Sequence, residues 1–334
     1  MVFLFSLHVF YVFLAAYQNN FLFLPVQKIK IMALTLYNIK RWYLMLTGQS
    51  VLHVHQDLGK CFAVGEVRGY YNNLTEKVTM EPALLESDDL PLLDIGHGEK
   101  VHFPVAIFQY GLGAYDLYLL TGEEVYRRKF EQCLRWTVEH QEDSGAWSNF
   151  FYIYPDHPYG AMAQGEGASL LLRGHVLTGK ADYLQRAQRA IDFMLKPVEE
   201  GGTAVYDDHR LTLLEYTHMP AVMNGWVFAL FGLYDYVAAT GDKEHYAQLL
   251  DRTTASLEQT LPQFDRGYWS MYDLDGRIAS PFYHRLHIAQ MQALHRLTGH
   301  PVFDRYAARW QDDTTHVVRR TRAFLLKAWQ KIKE

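Results

Sequence analysis

Between residues 215 and 290 the chain concentrates side chains that move protons. Glu215 and Tyr216 are adjacent, Tyr272 and Arg277 flank an Asp-Gly turn, and Tyr283-His284-Arg-Leu-His287-Ile-Ala-Gln290 follows a Ser-Pro break. A helix starting near Tyr283 puts Tyr283, His287 and Gln290 at i, i+4 and i+7, on one face. Tyr, His and Gln cannot satisfy one another against an apolar core, so that face needs partners, water or a ligand. Each residue alone reads equally well as a core side chain bonded to backbone. Taken with Glu215-Tyr216, the set reads as a ligand cleft fitted for acid–base work.

These residues sit in a repeating framework. Leu120-Thr-Gly122, Leu177-Thr-Gly179, Ala239-Thr-Gly241 and Leu297-Thr-Gly299 each close an apolar helical run, and an aromatic (Tyr126, Tyr183, Tyr246, Phe303) follows shortly after. Glycine just past a last helical turn is the left-handed cap, so each Thr-Gly marks the bend of a helical hairpin. The recurrence at about 60 residues leaves room for two helices and two loops per repeat. Four hairpins predict a mainly α fold, an α/α toroid or incomplete barrel, with a short mixed α/β region before it. In such a ring the loops before the inner helices share one rim. The polar clusters Tyr152–Gln164, Glu215–Asn224 and Tyr272–Tyr283 fall in those loops.

Domain boundaries follow from the same patterns. Residues 1–31 form an apolar extension, interrupted by Gln18-Asn-Asn20 and lacking a basic residue before Lys28. It reads as an anchor, which would bring membrane association, or as an over-called start with Met32 the natural initiator. Residues 32–104 are mixed and short-period, with strands and loops expected over 58–105 and a sequon at Asn73-Leu-Thr75. Residues 105–318 carry the toroid. Residues 319–334 are a basic helix, read as a closing helix with a solvated face, the other reading being a membrane or partner contact.

Composition narrows the function classes. Net charge is −5, which excludes a nucleic-acid footprint. An anionic ligand must then be held by local basic groups. Aromatic residues reach 15% with 23 tyrosines, which suits stacking on sugar rings or a Tyr-rich core. Two cysteines cannot build a disulfide framework. No CxxC, HExxH, GxGxxG or P-loop occurs, and no metal role is expected for His53-Val-His55, so neither metal nor cofactor is expected.

Several segments resemble a known family in the same order. They are Phe103-Pro-Val-Ala-Ile-Phe-Gln109-Tyr-Gly, Tyr159-Gly-Ala-Met-Ala-Gln164-Gly, Glu215-Tyr216, Asn224-Gly-Trp, Tyr272-Asp-Leu and Tyr283-His-xx-His287-Ile-x-Gln290. Together they resemble the C-terminal catalytic domain of the D-glucuronyl C5-epimerases, over roughly residues 100–310. The resemblance implies conversion of D-glucuronate to L-iduronate within a heparosan- or heparan-sulfate-like polysaccharide. It implies Glu215, Tyr216, Tyr272 and Tyr283 as the catalytic group. Thr217 stands where the family usually has Pro. The β-rich region of the animal enzymes, with any calcium site there, is missing.

The reaction explains the residue types. Hydrogen at C5 of a glucuronate is α to a carboxylate, so its removal adds charge to a group already negative. The site must neutralise that group and supply proton transfer on both ring faces. The expected roles are Glu215 as base on one face and Tyr283 as donor on the other, with Tyr216 and Tyr272 polarising the carboxylate; Tyr216 as base is the alternative. A cation lowers a tyrosine pKa, and Arg277 is the near one, its planar fork also suiting the carboxylate. Arg277, Asn224, Gln164, Gln109, Tyr159, His284 and His287 are the expected substrate binders. The partner is thus an anionic uronate polysaccharide, and a homodimer is compatible. Location follows the start: cytoplasmic or membrane-associated if Met1 is real, a Golgi-type lumen in a eukaryote. The rivals are a uronate lyase or uronyl hydrolase on the same fold, a sugar 2-epimerase, and a non-catalytic glycan-binding protein.

Overall fold

The computed structural model describes residues 55, 57–96 and 99–333, so the apolar extension 1–31 and His53 lie outside the described residues. Two short helices, α1 (Glu76–Thr79) and α2 (Pro82–Glu86), and an antiparallel hairpin, β1 (Leu93–Gly96) with β2 (Glu99–Val101), precede the helical body. Four helical hairpins follow: α3 (Pro104–Thr121) with α4 (Glu124–Glu139), α5 (Ala161–Thr178) with α6 (Ala181–Leu195), α7 (Met223–Thr240) with α8 (His245–Thr260), and α9 (Pro281–Thr298) with α10 (Pro301–Thr315). A second hairpin, β3 (Ala204–Asp207) with β4 (Arg210–Leu213), links α6 to α7, and α11 (Val317–Lys333) ends the described chain. None of the described helices is long and apolar enough to cross a membrane.

The Thr-Gly signals act as read. Gly122, Gly179, Gly241 and Gly299 all adopt the left-handed conformation, with φ of 74, 70, 66 and 74°. Each amide N–H donates to the carbonyl four residues back, a single-bond C-terminal cap. The threonines add a second device: Thr121, Thr178, Thr240 and Thr298 donate from Oγ1 to the carbonyls of Leu117, Gly174, Tyr236 and Leu294. The same oxygens accept the N–H groups of Glu123, Lys180, Asp242 and His300, which turns the chain into the outer helix.

Helices α3, α5, α7 and α9 pack side by side as the inner layer of an incomplete α/α toroid, with α4, α6, α8 and α10 outside. Helices α3, α5 and α7 are largely apolar and buried through most of their length, α9 is more polar but mostly buried, and the outer helices bury one stripe. Their C-terminal ends are closed by the segment 57–78. Tyr70 and Tyr71 are fully buried there, and Leu74 and Val78 join the same core. The mixed N-terminal region thus shares the core of the helical body from Val67 onward. Asn73 of the sequon is buried too, its Oδ1 accepting from the Thr75 N–H and hydroxyl, which keeps it from serving as a glycan acceptor in the folded chain.

The lock at that end is ionic. Arg173 of α5 and Asp235 of α7 form a salt bridge at 2.6 Å with neither side chain exposed. Arg173 also donates to the Gly69 carbonyl, and the Tyr71 hydroxyl donates to Asp235. Removing one partner strands the other charge away from water. Arg173→Met is expected to cost about 3–5 kcal/mol in a denaturant titration, most of it recovered in the double variant Arg173→Met, Asp235→Leu. A single variant as stable as the parent would refute this account of the lock.

Candidate active site

The other end of the inner layer is open to side chains from the loops. Ser280 caps α9, its Oγ accepting from the Tyr283 N–H, so this helix begins two residues before Tyr283. The Tyr272 carbonyl accepts the Met223 N–H at the start of α7, and Leu274 N–H donates to Ala221. Loop 265–280 is therefore tied to the N-terminus of α7. Leu214 is fixed on both sides, donating to Thr203 and accepting from Ala161 at the start of α5.

Glu215 is placed by that fixed strand exit. Its side chain lies on Gly225 in the first turn of α7, where any Cβ would overlap the Glu215 Cβ and Oε2. The carboxyl is buried, and Oε2 has no hydrogen-bond partner. Burial pushes its pKa up to about 7, against a hydrogen bond from Tyr216 and the attraction of Arg277. A carboxyl titrating there is half ionised near neutrality, as a general base requires.

Tyr216 stacks on Phe150 at 4.5 Å between centroids and is hydrogen-bonded to Tyr272. The Tyr272 ring lies 4.8 Å from that of Tyr283. Over the Tyr272 ring stand two cations, the Arg277 guanidinium at 5.5 Å and the Lys327 ammonium at 6.0 Å. Arg277 is positioned by Asp273, whose buried carboxylate accepts its Nε–H and its backbone N–H. Glu215, Tyr216, Tyr272, Tyr283 and Arg277 therefore form one cluster at the N-terminal rim of α5, α7 and α9. Helix N-termini favour negative charge, which reinforces Arg277 there.

One expectation is reversed by this geometry. Arg277 was expected to lower a tyrosine pKa, yet Tyr216 and Tyr272 are both raised above the ordinary range, first by burial and next by the Glu215 carboxylate. Desolvation of the phenolate outweighs a cation that is itself bonded to Asp273. Both tyrosines are hydrogen-bond donors at neutral pH, which disfavours Tyr216 as the base.

Most of the expected substrate binders have structural partners instead. Gln164 is fully buried; its amide bonds both the N–H and carbonyl of Trp147 and reaches the Gly160 carbonyl. Tyr159 points outward and donates to Glu142 at 2.7 Å. His284 stacks on Trp269 at 3.6 Å, with Nδ1 at Ser270 and Nε2 at the Trp310 carbonyl. Burial lowers its pKa to about 3, so it is neutral. His287 meets the same Ser270 hydroxyl and is held neutral by the same cause. Gln164, Tyr159 and His284 thus act as supports of the rim loops, and His287 does so through Nδ1 alone.

Gln109 and Asn224 keep their interest. Gln109 donates at 2.8 Å to Glu166, a fully buried carboxyl whose pKa is pushed up to about 8 by burial. Asn224 Oδ1, Gln290 Oε1, His287 Nε2 and Glu166 Oε2 are buried without partners. Glu166 went unnoticed in the sequence, although a charge inside the apolar run Ala161–Leu172 was a usable signal. Among the described residues, no cluster of three or more His, Cys, Asp or Glu could hold a metal ion.

Residues 148–312 match the family described as D-glucuronyl C5-epimerase C-terminus. An uncharacterized protein of Methanocaldococcus jannaschii is 30% identical over 159 residues, covering 46% of this chain and 51% of the relative. The D-glucuronyl C5-epimerase of Caenorhabditis elegans is 26% identical over 215 residues, covering 56% of this chain and 35% of the relative. The matches thus span about half of these relatives or less. Among solved structures, the cellobiose 2-epimerase of Spirochaeta thermophila superposes with a TM-score of 0.47 at 11% identity, over 90% of this chain and 99% of that one.

Proposed function

We propose, from the match of residues 148–312 to the family described as D-glucuronyl C5-epimerase C-terminus, that the chain is a carbohydrate epimerase acting on a uronate polysaccharide. Its substrate would be D-glucuronate within a heparosan- or heparan-sulfate-like polymer, converted to L-iduronate. The observation that carries this reading is the buried Glu215 carboxyl beside the Tyr216, Tyr272 and Tyr283 hydroxyls, under the Arg277 cation.

In this mechanism the substrate carboxylate lies toward Arg277 and the helix N-termini. Ionised Glu215 takes the C5 proton, and the two electrons of the C–H bond delocalise into the carboxylate as an enediolate. Proton uptake turns Glu215 into the neutral form that its burial favours, which raises its basicity toward carbon. Tyr216 and Tyr272, held protonated, donate hydrogen bonds to the oxygens where charge accumulates. Tyr283 delivers a proton to C5 from the opposite face, and exchange with solvent then takes the proton from Glu215 and reprotonates the Tyr283 phenolate. Exposed Phe151 and Tyr152, on the loop that carries Phe150, offer faces on which flanking sugars can stack.

The test is incubation with heparosan and with its N-deacetylated, N-sulfated form in D₂O, followed by proton NMR. Deuterium at C5 with new iduronate signals is the expected result. An unsaturated product absorbing in the near ultraviolet would replace the epimerase reading with a lyase. No exchange on either polymer by the folded protein would exclude both.

A further inference from the structure

Helix α11 follows the segment that matches the family, which ends at residue 312. Its sequence, from Val317 to Lys333, contains Arg319, Arg320, Arg322, Lys327, Lys331 and Lys333 and no acidic residue. A basic amphipathic helix at a chain end usually reads as a solvated element. Its placement says otherwise.

Three residues at i, i+4 and i+7 define the face that α11 turns toward the body. Ala323 is buried at 3% exposure. Gln330 is bonded twice to the turn before α9: Oε1 accepts the Ile278 N–H at 3.0 Å, and Nε2 donates to the Gly276 carbonyl at 2.8 Å. That turn also carries Arg277. Between the two anchors stands Lys327, its ammonium 6.0 Å from the centre of the Tyr272 ring, which Arg277 also overlies. Two of the arginines on α11 meet other groups: Arg319 pairs with Asp312 and Asp313, and Arg322 lies over Tyr268 at 4.1 Å.

We propose that α11 forms a cationic wall of the cleft and that Lys327 binds an anionic group of the polysaccharide. The proposal deepens the uronan reading above and rests on it for the identity of the ligand. Lys327 and Arg277 bring two positive charges over the partly buried Tyr272 ring, whereas the protein's net charge of −5 gives no general attraction for a polyanion. A local pair, one planar fork and one compact ammonium, supplies it. The fork suits a carboxylate held edge-on, and the ammonium accepts a carboxylate or sulfate from any direction.

The test is binding of full-length protein to immobilised heparosan and to N-sulfated heparosan over a series of salt concentrations. Lys327→Met keeps the aliphatic stem over Tyr272 and removes the charge. Lys327→Arg keeps the charge, and Arg128→Gln on the outer helix α4 controls for loss of any exposed cation. The expected result is about tenfold weaker binding for Lys327→Met with a shallower salt dependence, little change for Arg128→Gln, and recovery in Lys327→Arg. Weakening on both polymers identifies a carboxylate as the bound group; weakening confined to the N-sulfated polymer identifies a sulfate. A helix that is merely structural would leave affinity and salt slope unchanged while lowering the melting temperature, and that outcome overturns the proposal. Should Lys327→Met fail to fold, Lys327→Gln takes its place with the same criteria. The readout is binding, so the two readings fail separately: a parent that binds through Lys327 without C5 exchange keeps the wall and loses the epimerase. A parent that exchanges, with Lys327→Met binding as tightly, does the reverse.

Discussion

Glu215→Gln is expected to reduce deuterium incorporation at C5 by about 10²- to 10⁴-fold while the protein stays folded. Glutamine has nearly the same shape, so it keeps the contact with Gly225 and the fixed strand exit at Leu214. What it loses is the basicity of the carboxylate, since an amide oxygen takes up no proton near neutral pH. The variant should show a second property that a bystander would lack. Burial raises the Glu215 pKa to about 7, so the fold prefers the neutral carboxyl. That stabilisation is fully present below the ordinary carboxylate pKa and is lost as the pH rises through about 7. Glutamine is neutral at every pH, so Glu215→Gln should lose less melting temperature than the parent between pH 5 and 8. Asp116 and Glu166, raised by burial to about 7 and about 8, leave the variant a residual dependence of the same sign. In the parent, kcat/KM should climb with pH through about 7, because the ionised base is the active form. Activity and stability therefore run in opposite directions across neutrality, both through one carboxyl. A variant retaining a tenth of the parent's exchange would remove Glu215 as the base.

The fold was legible because the Thr-Gly signal is local. Thr121 and Gly122 make their capping bonds within five residues, and so do the three equivalent pairs, so sequence alone carries the geometry. The rim position of the polar loops followed from counting hairpins, and it brought Glu215, Tyr216 and Tyr272 from two loops together with Tyr283 of the first turn of α9. Side-chain partners across loops were not legible. Gln164 is a sugar-binding amide or a loop clamp according to where Trp147 lies, and His284 depends on Ser270 and the Trp310 carbonyl. Lys327 was hidden for the same reason. The 16-residue basic tail had a readable apolar face, but its contact with Tyr272 is made through the Gln330 anchor, more than 50 residues from its partner turn. The direction of the tyrosine pKa shifts was misjudged because nearness in sequence to Arg277 says nothing of burial.

Tyr283→Phe is expected to separate two events that the parent performs together. Proton abstraction by Glu215 and return from Glu215 to the same face exchange the C5 hydrogen without inverting the sugar. Inversion needs a donor on the other face, and in the proposed arrangement that donor is the Tyr283 hydroxyl, set at the start of α9 by the Ser280 cap. Phenylalanine keeps the ring that packs on Tyr272 at 4.8 Å and removes only the oxygen. Iduronate formation should therefore fall by about 10²- to 10³-fold, the usual contribution of a positioned acid. Deuterium should still enter glucuronate at C5, at a rate reduced far less. Tyr272→Phe provides the contrast: its hydroxyl would stabilise the charge common to both events, so exchange and inversion should fall together. Proton NMR resolves both quantities in one spectrum, because iduronate and deuterated glucuronate give different signals. Equal losses of exchange and inversion in Tyr283→Phe would place Tyr283 with Tyr272 as a stabiliser of the enediolate. Full inversion in Tyr283→Phe would remove it from the mechanism, and the donor would then have to come from Tyr216 or from solvent.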